Sequence, residues 1–273
     1  MGTLFVSDLD GTLLTREERV SLYSQDRLNR LIDGGVPFTF ATARAVKSAL
    51  GAISGVQCKL PAIFYNGSLI YNPCTGETLH AVLFGEEEKY YVLSILQQFG
   101  IEPLIFGADK EERVAWREGR ESLGMRRYLS RRTQDKRMLP VHTNEALLSF
   151  HVFNFKCIGP QETLQRAWDI LKYDTRFICI FHQETYQSDF WMEISPRAAT
   201  KANGVSKLKS LLGFERVVCF GDSSNDSDMF DVCDEKYAVM NADDWLKAKA
   251  TGVIGYCEED GVCKWLEENA RFR

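Results

Sequence analysis

The sequence predicts an α/β protein: a parallel sheet with helices on both faces, interrupted by an inserted α+β region. Three observations predict it. Apolar strand-like runs alternate with helix-like stretches at both ends of the chain. Polar residues follow three of those runs, at Asp8, Thr42 and Asp222, and open parallel sheets bind ligands at such strand ends. Between Gly85 and Ser188 the order changes to helices and strands that do not continue the alternation. The expected organisation is a core from 1–84 and 189–273, with a cap from 85–188.

The elements follow in order. Thr3 to Ser7 reads as the first strand. Ser24 is placed to cap a helix to about Asp33, with Leu28, Leu31 and Ile32 on its apolar face and Gly34-Gly35 ending it. Val36 to Ala41 is a second strand that delivers Thr42, and Ala45 to about Ile53 suits another helix. Pro61 to Tyr65, the Asn66-Gly67 turn, SLIY, the NPCTGE turn and Thr78 to Phe84 read as antiparallel hairpins. In the insert, GEEEKYYVLSILQQFG is an amphipathic helix opened by acids, which favour a helix N-terminus. IEPLIF, LLSFHVFNFKCI, RFICIF and FWMEI read as strands and QETLQRAWDILKY as a helix. The core resumes near Asp189. Thr200 or Ser195 caps a helix that carries Lys201 and ends at Gly213. Strands at Arg216 to Phe220, Tyr237 to Met240 and Gly252 to Gly255 then alternate with helices ending near Val232, around Trp245 and at Asn269.

Composition narrows the function classes. A 273-residue chain that is 45% apolar and 26% charged can bury a sizeable core. A net charge of −5 is wrong for a nucleic-acid binder, and no apolar run reaches membrane-spanning length. The first residues form a strand with neither basic flank nor cleavage site, which predicts no secretory signal. Eight cysteines form no CxxC pair and several lie in apolar runs, so a reduced, cytoplasmic setting is expected. His80, His142, His151 and His182 show no metal-ligand spacing.

FVSDLDGTLL, Phe5 to Leu14, concentrates the chemistry. Asp8 and Asp10 end an apolar strand one residue apart, and like charges this close resist joint ionisation. A divalent cation with oxygen ligands would offset that, as would one carboxyl kept protonated as an acid. Taken alone, the pattern also fits a strand ending in a polar turn.

DLDGTLL resembles the first motif of the haloacid-dehalogenase superfamily. FATAR (Phe40 to Arg44), Lys201 in TKANGVSKL and GDSSNDSDM (Gly221 to Met229) match its other motifs in order. The long insert between the second and third is similar to the Cof-like branch. The resemblance implies a Rossmann-like parallel-sheet core with an inserted α+β cap domain, its first strand lying between those of the second and fourth motifs. It implies Asp8 as nucleophile, Asp10 as acid and base, and Lys201 as a fixed positive charge. Thr42, Ala43, Arg44 and Asn225 would bind the phosphate. Mg²⁺ would sit on Asp8, the Asp10 carbonyl and Asp222, with Asp226 ligating or orienting. Ala43 departs from the usual Thr-Gly-Arg, and Ser223 stands where glycine is common. Lys207 and Lys209 are nearby competitors of Lys201.

Arg113 to Arg137 holds nine Arg/Lys and three Asp/Glu, either an anion-attracting patch or an ordinary solvated, ion-paired face. The expected function is a Mg²⁺-dependent phosphatase acting on a small phosphorylated metabolite such as a sugar phosphate. The alternatives are a phosphomutase, a dehalogenase and a non-catalytic small-molecule-binding protein. About 30 residues separate Asp10 from Thr42, too few for the helical cap usual in the matching mutases.

Overall fold

Leu4, Phe5 and Val6 are apolar on both faces of their strand, which suits only the interior of a sheet covered on both sides. The computed structural model, which describes residues 2–109, 111–183 and 189–270, places them there. The chain divides into two compact units, Met1–Ala81 with Ala199–Arg273, and Val82–Ala198.

The first unit begins with β1 (Thr3–Ser7), α1 (Leu22–Asp33), β2 (Phe38–Phe40), α2 (Val46–Ala52), β3 (Ala62–Phe64), β4 (Leu69–Asn72) and β5 (Glu77–Ala81). The second unit holds α3 (Glu86–Gln98), β6 (Leu104–Ala108), β7 (Glu112–Arg117), α4 (Leu123–Ser130), β8 (Met138–Val141), α5 (Asn144–Leu147), β9 (Val152–Gly159), α6 (Gln161–Leu171), β10 (Phe177–Gln183) and β11 (Phe190–Pro196). The first then resumes with α7 (Lys201–Leu212), β12 (Arg216–Gly221), α8 (Ser227–Val232), β13 (Glu235–Val239), α9 (Asp244–Lys249), β14 (Gly252–Ile254) and α10 (Gly261–Asn269).

In the first unit, β14-β13-β12-β1-β2 form a parallel sheet. β1 lies between β12 and β2, so Asp8 follows a central strand. β3, β4 and β5 make the expected antiparallel meander. Three boundaries differ from expectation. Ser21, not Ser24, caps α1, its Oγ accepting from Ser24 N at 3.0 Å, while the buried Ser24 hydroxyl donates to Asp260 at 2.7 Å. β2 is shorter than Val36 to Ala41 because Val36 N is still bonded to Leu31 O in the helix terminus. β5 ends at Ala81, not Phe84. Of the two capping candidates for α7, Thr200 is the cap; it accepts from Asn203 N at 3.1 Å.

In the second unit one sheet runs β10-β11-β9-β6-β7-β8. Its apolar face packs Phe155, Cys157, Met192 and Ile194 against Val92 and Leu96 of α3 and Leu164, Ala167 and Leu171 of α6. Because β11 pairs with β9 and β10, this unit runs to Ala198, past the expected return at 189. The expected cap end at 188 itself lies outside the described residues. In the basic stretch, Arg120 pairs with Glu102 at 3.3 Å, Arg126 with Glu121 at 3.9 Å, Arg127 with Asp189, and Arg137 with Glu112 at 2.5 Å and Asp135 at 2.7 Å. Much of its charge is thus answered within the unit. Among the described residues no helix is long and apolar enough to cross a membrane.

Candidate active site

Past Ser7 the backbone makes one wide turn over Leu9–Leu13, with Gly11 at φ 75°. That turn needs glycine twice over: the left-handed φ, and a Cβ that would strike the Asp222 carboxylate. Asp8 is anchored by its N–H, which donates to Phe220 O at 2.9 Å, and by the Ser7 hydroxyl, which donates to its carbonyl at 2.7 Å. Thr12 Oγ1 donates to Asp222 Oδ1 at 3.1 Å, and the Asn241 amide donates to the Gly11 carbonyl at 2.7 Å. The turn is therefore fastened to the loops after β12 and β13.

In that loop Asp226 acts as an internal brace. Its Oδ2 accepts from the backbone N–H groups of Asp222 at 2.9 Å and Ser223 at 3.2 Å. Its Oδ1 accepts from Lys201 Nζ at 2.7 Å. Lys201 also donates to Asp8 Oδ1 at 2.5 Å. As the first residue of α7 it is held there by the Thr200 cap and by Gly67, where a side chain would collide with the Thr200 carbonyl. Lys209, a competitor from the sequence, instead meets Asp234 at 3.4 Å.

Asp8, Asp222 and Asp226 offer ligand oxygens within 4.8 Å of one another. Burial pushes the Asp8 carboxyl well above the usual carboxylate range; Lys201 opposes the rise and Asp226 adds to it. Asp222 is raised to about 6 by burial and then by Asp226, against the Thr12 hydrogen bond. Burial works to lower Lys201, but Asp8 and Asp226 outweigh it and hold the ammonium above its ordinary value. With all three carboxyls ionised, one ammonium would leave a charge of −2, which suits a divalent cation bound by hard oxygen donors. Asp226 accepts hydrogen bonds at both oxygens, so besides its place in the cluster it braces the Asp222 backbone.

The other residues named from sequence sit on neighbouring loops. Thr42, fully buried, accepts from Arg44 N at 3.1 Å through its Oγ1. Ala43 is not among the residues with positive φ, so its backbone does not require the usual glycine. Asn225 Oδ1 accepts from the Ser223 hydroxyl at 2.9 Å. The Arg44 guanidinium grips the Asp10 carboxylate, with Nε donating to both oxygens at 3.1 and 2.8 Å. Sequence reasoning missed Thr12, Asn241 and Glu18, the second partner of Arg44 at 2.8 Å. Thr12 lay inside the first motif; no local pattern marks the other two.

The model of the haloacid dehalogenase-like hydrolase family matches residues 5–266. A Bacillus subtilis 5-amino-6-(5-phospho-D-ribitylamino)uracil phosphatase is 26% identical, over 96% of this chain and 96% of its own length. An HMP-PP phosphatase of Yersinia pseudotuberculosis is 26% identical, over 97% of this chain and 94% of its own. Among solved structures, a Thermotoga maritima protein superposes with TM-score 0.81 at 21% identity, covering 98% of this chain and 97% of that one. The family match spans nearly the whole chain and the carboxylate cluster fits its chemistry, so this chain belongs to the haloacid dehalogenase-like hydrolase family, as a phosphoric monoester hydrolase.

Proposed function

We propose that the chain is a Mg²⁺-dependent phosphatase that hydrolyses a small phosphorylated metabolite through an aspartyl-phosphate on Asp8. The observation that carries this reading is the buried Asp8–Lys201 pair set beside Asp222 and Asp226. Lys201 engages Asp8 Oδ1, and among the described residues no hydrogen bond occupies Oδ2, which supports Oδ2 as the attacking oxygen.

In the first step Asp8 Oδ2 bonds to phosphorus as the P–O bond to the leaving group breaks, and Asp10 gives that oxygen its proton. In the second step water attacks the phosphorus, Asp10 takes the water's proton, and the bond to Asp8 breaks to release inorganic phosphate. Lys201 keeps Asp8 oriented and offers fixed positive charge to the transferring group. Thr42, Ala43, Arg44 and Asn225 surround the phosphate with donors. Mg²⁺ would be held by Asp8, the Asp10 carbonyl and Asp222, with Asp226 orienting from behind. When bound, it would neutralise the charge shared by Asp8 and the phosphoryl oxygens.

The substrates in the two relatives' names are phosphorylated small molecules, which supports the same class here, a sugar phosphate or similar. Six of the eight free cysteines are buried, in keeping with a reducing, cytoplasmic setting. Turnover of p-nitrophenyl phosphate by purified protein, with Mg²⁺ and with excess chelator, tests the reading. Equal rates under both conditions would remove the metal from it, and no turnover in either would remove the phosphatase.

A further inference from the structure

Arg44 holds two carboxylates at once. Its Nη2 donates to Asp10 Oδ1 at 2.5 Å and to Glu18 Oε2 at 2.8 Å, in addition to the two Nε contacts with Asp10. A planar guanidinium fixes the direction of a carboxylate as well as its distance. Glu18 reaches it from a tight turn in which Glu18 N donates to Thr15 O at 2.9 Å and Thr15 N to Arg19 O at 3.0 Å. Glu18 adopts φ 56°, a conformation that non-glycine residues seldom take. The arrangement is a poor device for stability, since the Glu18 side chain is 68% exposed and exposed ion pairs contribute little. Arg44, by contrast, is 17% exposed and sits between the two acids.

We propose that Glu18 is a positioning residue for the proton transfers: it fixes the Arg44 guanidinium, which in turn fixes the Asp10 carboxyl. The inference rests on the phosphatase reading above and concerns only the steps in which Asp10 moves a proton. Those steps can be separated with p-nitrophenyl phosphate. Its leaving group departs as a stable anion and needs no acid, whereas hydrolysis of the aspartyl-phosphate needs Asp10 as base.

The test is rapid-mixing kinetics of p-nitrophenolate release by wild type, Glu18→Gln, Glu18→Asp and Asp10→Asn. Glu18→Gln should release its first equivalent at the wild-type rate and then turn over about tenfold more slowly, with KM falling in step so that kcat/KM is unchanged, a loss that is a fraction of what general-base catalysis supplies. Glu18→Asp should recover part of the loss, and Asp10→Asn should show the same pattern more severely. Equal slowing of the first and later turnovers would overturn the inference, as would a raised KM with unchanged kcat, which would mean that Glu18 acts only on the hold of Arg44 on the phosphate and not on Asp10. A wild type with no turnover would overturn the phosphatase reading and this inference with it. Wild-type turnover combined with either of the other two results overturns this inference alone.

Discussion

The Lys201 ammonium lies 2.5 Å from the Asp8 carboxylate, joining residues 193 positions apart where solvent scarcely reaches. Neither charge is easily kept there alone, because desolvation opposes both, and removing one member of a buried pair leaves the other uncompensated.

Lys201→Met should therefore destabilise the protein by about 3–5 kcal/mol, read as a lower urea midpoint. Asp8→Asn should do much less to stability, since it removes a carboxyl already held in an unfavourable environment. It should nonetheless cut turnover by several orders of magnitude, as loss of a covalent step does. An Asp8→Asn protein retaining a tenth of wild-type activity would exclude Asp8 as nucleophile.

Asp10 and Asp222 should separate in calorimetric Mg²⁺ titrations. Asp222→Asn removes a charged ligand and should weaken binding. Asp10→Asn keeps the backbone carbonyl and should leave affinity near wild type while abolishing steady-state turnover. Equal losses of affinity would mean the two roles are misassigned.

Asp222 also makes a pH prediction for chelator-treated protein. Its folded pKa of about 6 lies above the ordinary 3.8, so the unfolded chain gives up this proton first as pH rises. The stability tied to its protonated form is complete below about pH 4 and is lost as pH climbs through 6, by up to about 3 kcal/mol. Asp222→Asn should flatten that part of the stability–pH curve. An unchanged curve would show that Asp222 does not titrate in this window.

All residues assigned to phosphoryl transfer belong to the unit of Met1–Ala81 and Ala199–Arg273. Replacing Val82–Ala198 with a short linker should leave a folded core that still hydrolyses p-nitrophenyl phosphate. Activity on the natural substrate should fall much further, because binding energy from groups remote from phosphorus is lost. Circular dichroism and the two activities together check this. A folded core inactive on both esters would place a required chemical group in the removed segment. Arg127 is a poor probe of that segment's charge, since its ion pair with Asp189 joins two parts of the unit.

By itself the sequence determined whatever depends on neighbours along the chain. The buried β1 run, the Asp8–Asp10 turn with Gly11, the meander through Asn66-Gly67 and the Gly213 helix end are all set by local periodicity, capping and turn chemistry. The order of the four motifs pointed to the family and to Asp8, Asp10, Thr42, Lys201 and Asp222. Tertiary structure alone decided how these residues meet. It put β1 between β12 and β2, brought Lys201 rather than Lys209 to Asp8, and gave both Asp226 oxygens internal partners. It also added Thr12, Asn241 and Glu18 around the carboxylates, and β7 and β8 to a sheet whose charged sequence hid them. The physical reason is common to all of these. A hydrogen bond or ion pair between distant residues leaves no period in the sequence, and its partner is chosen only when the sheet order brings the loops together.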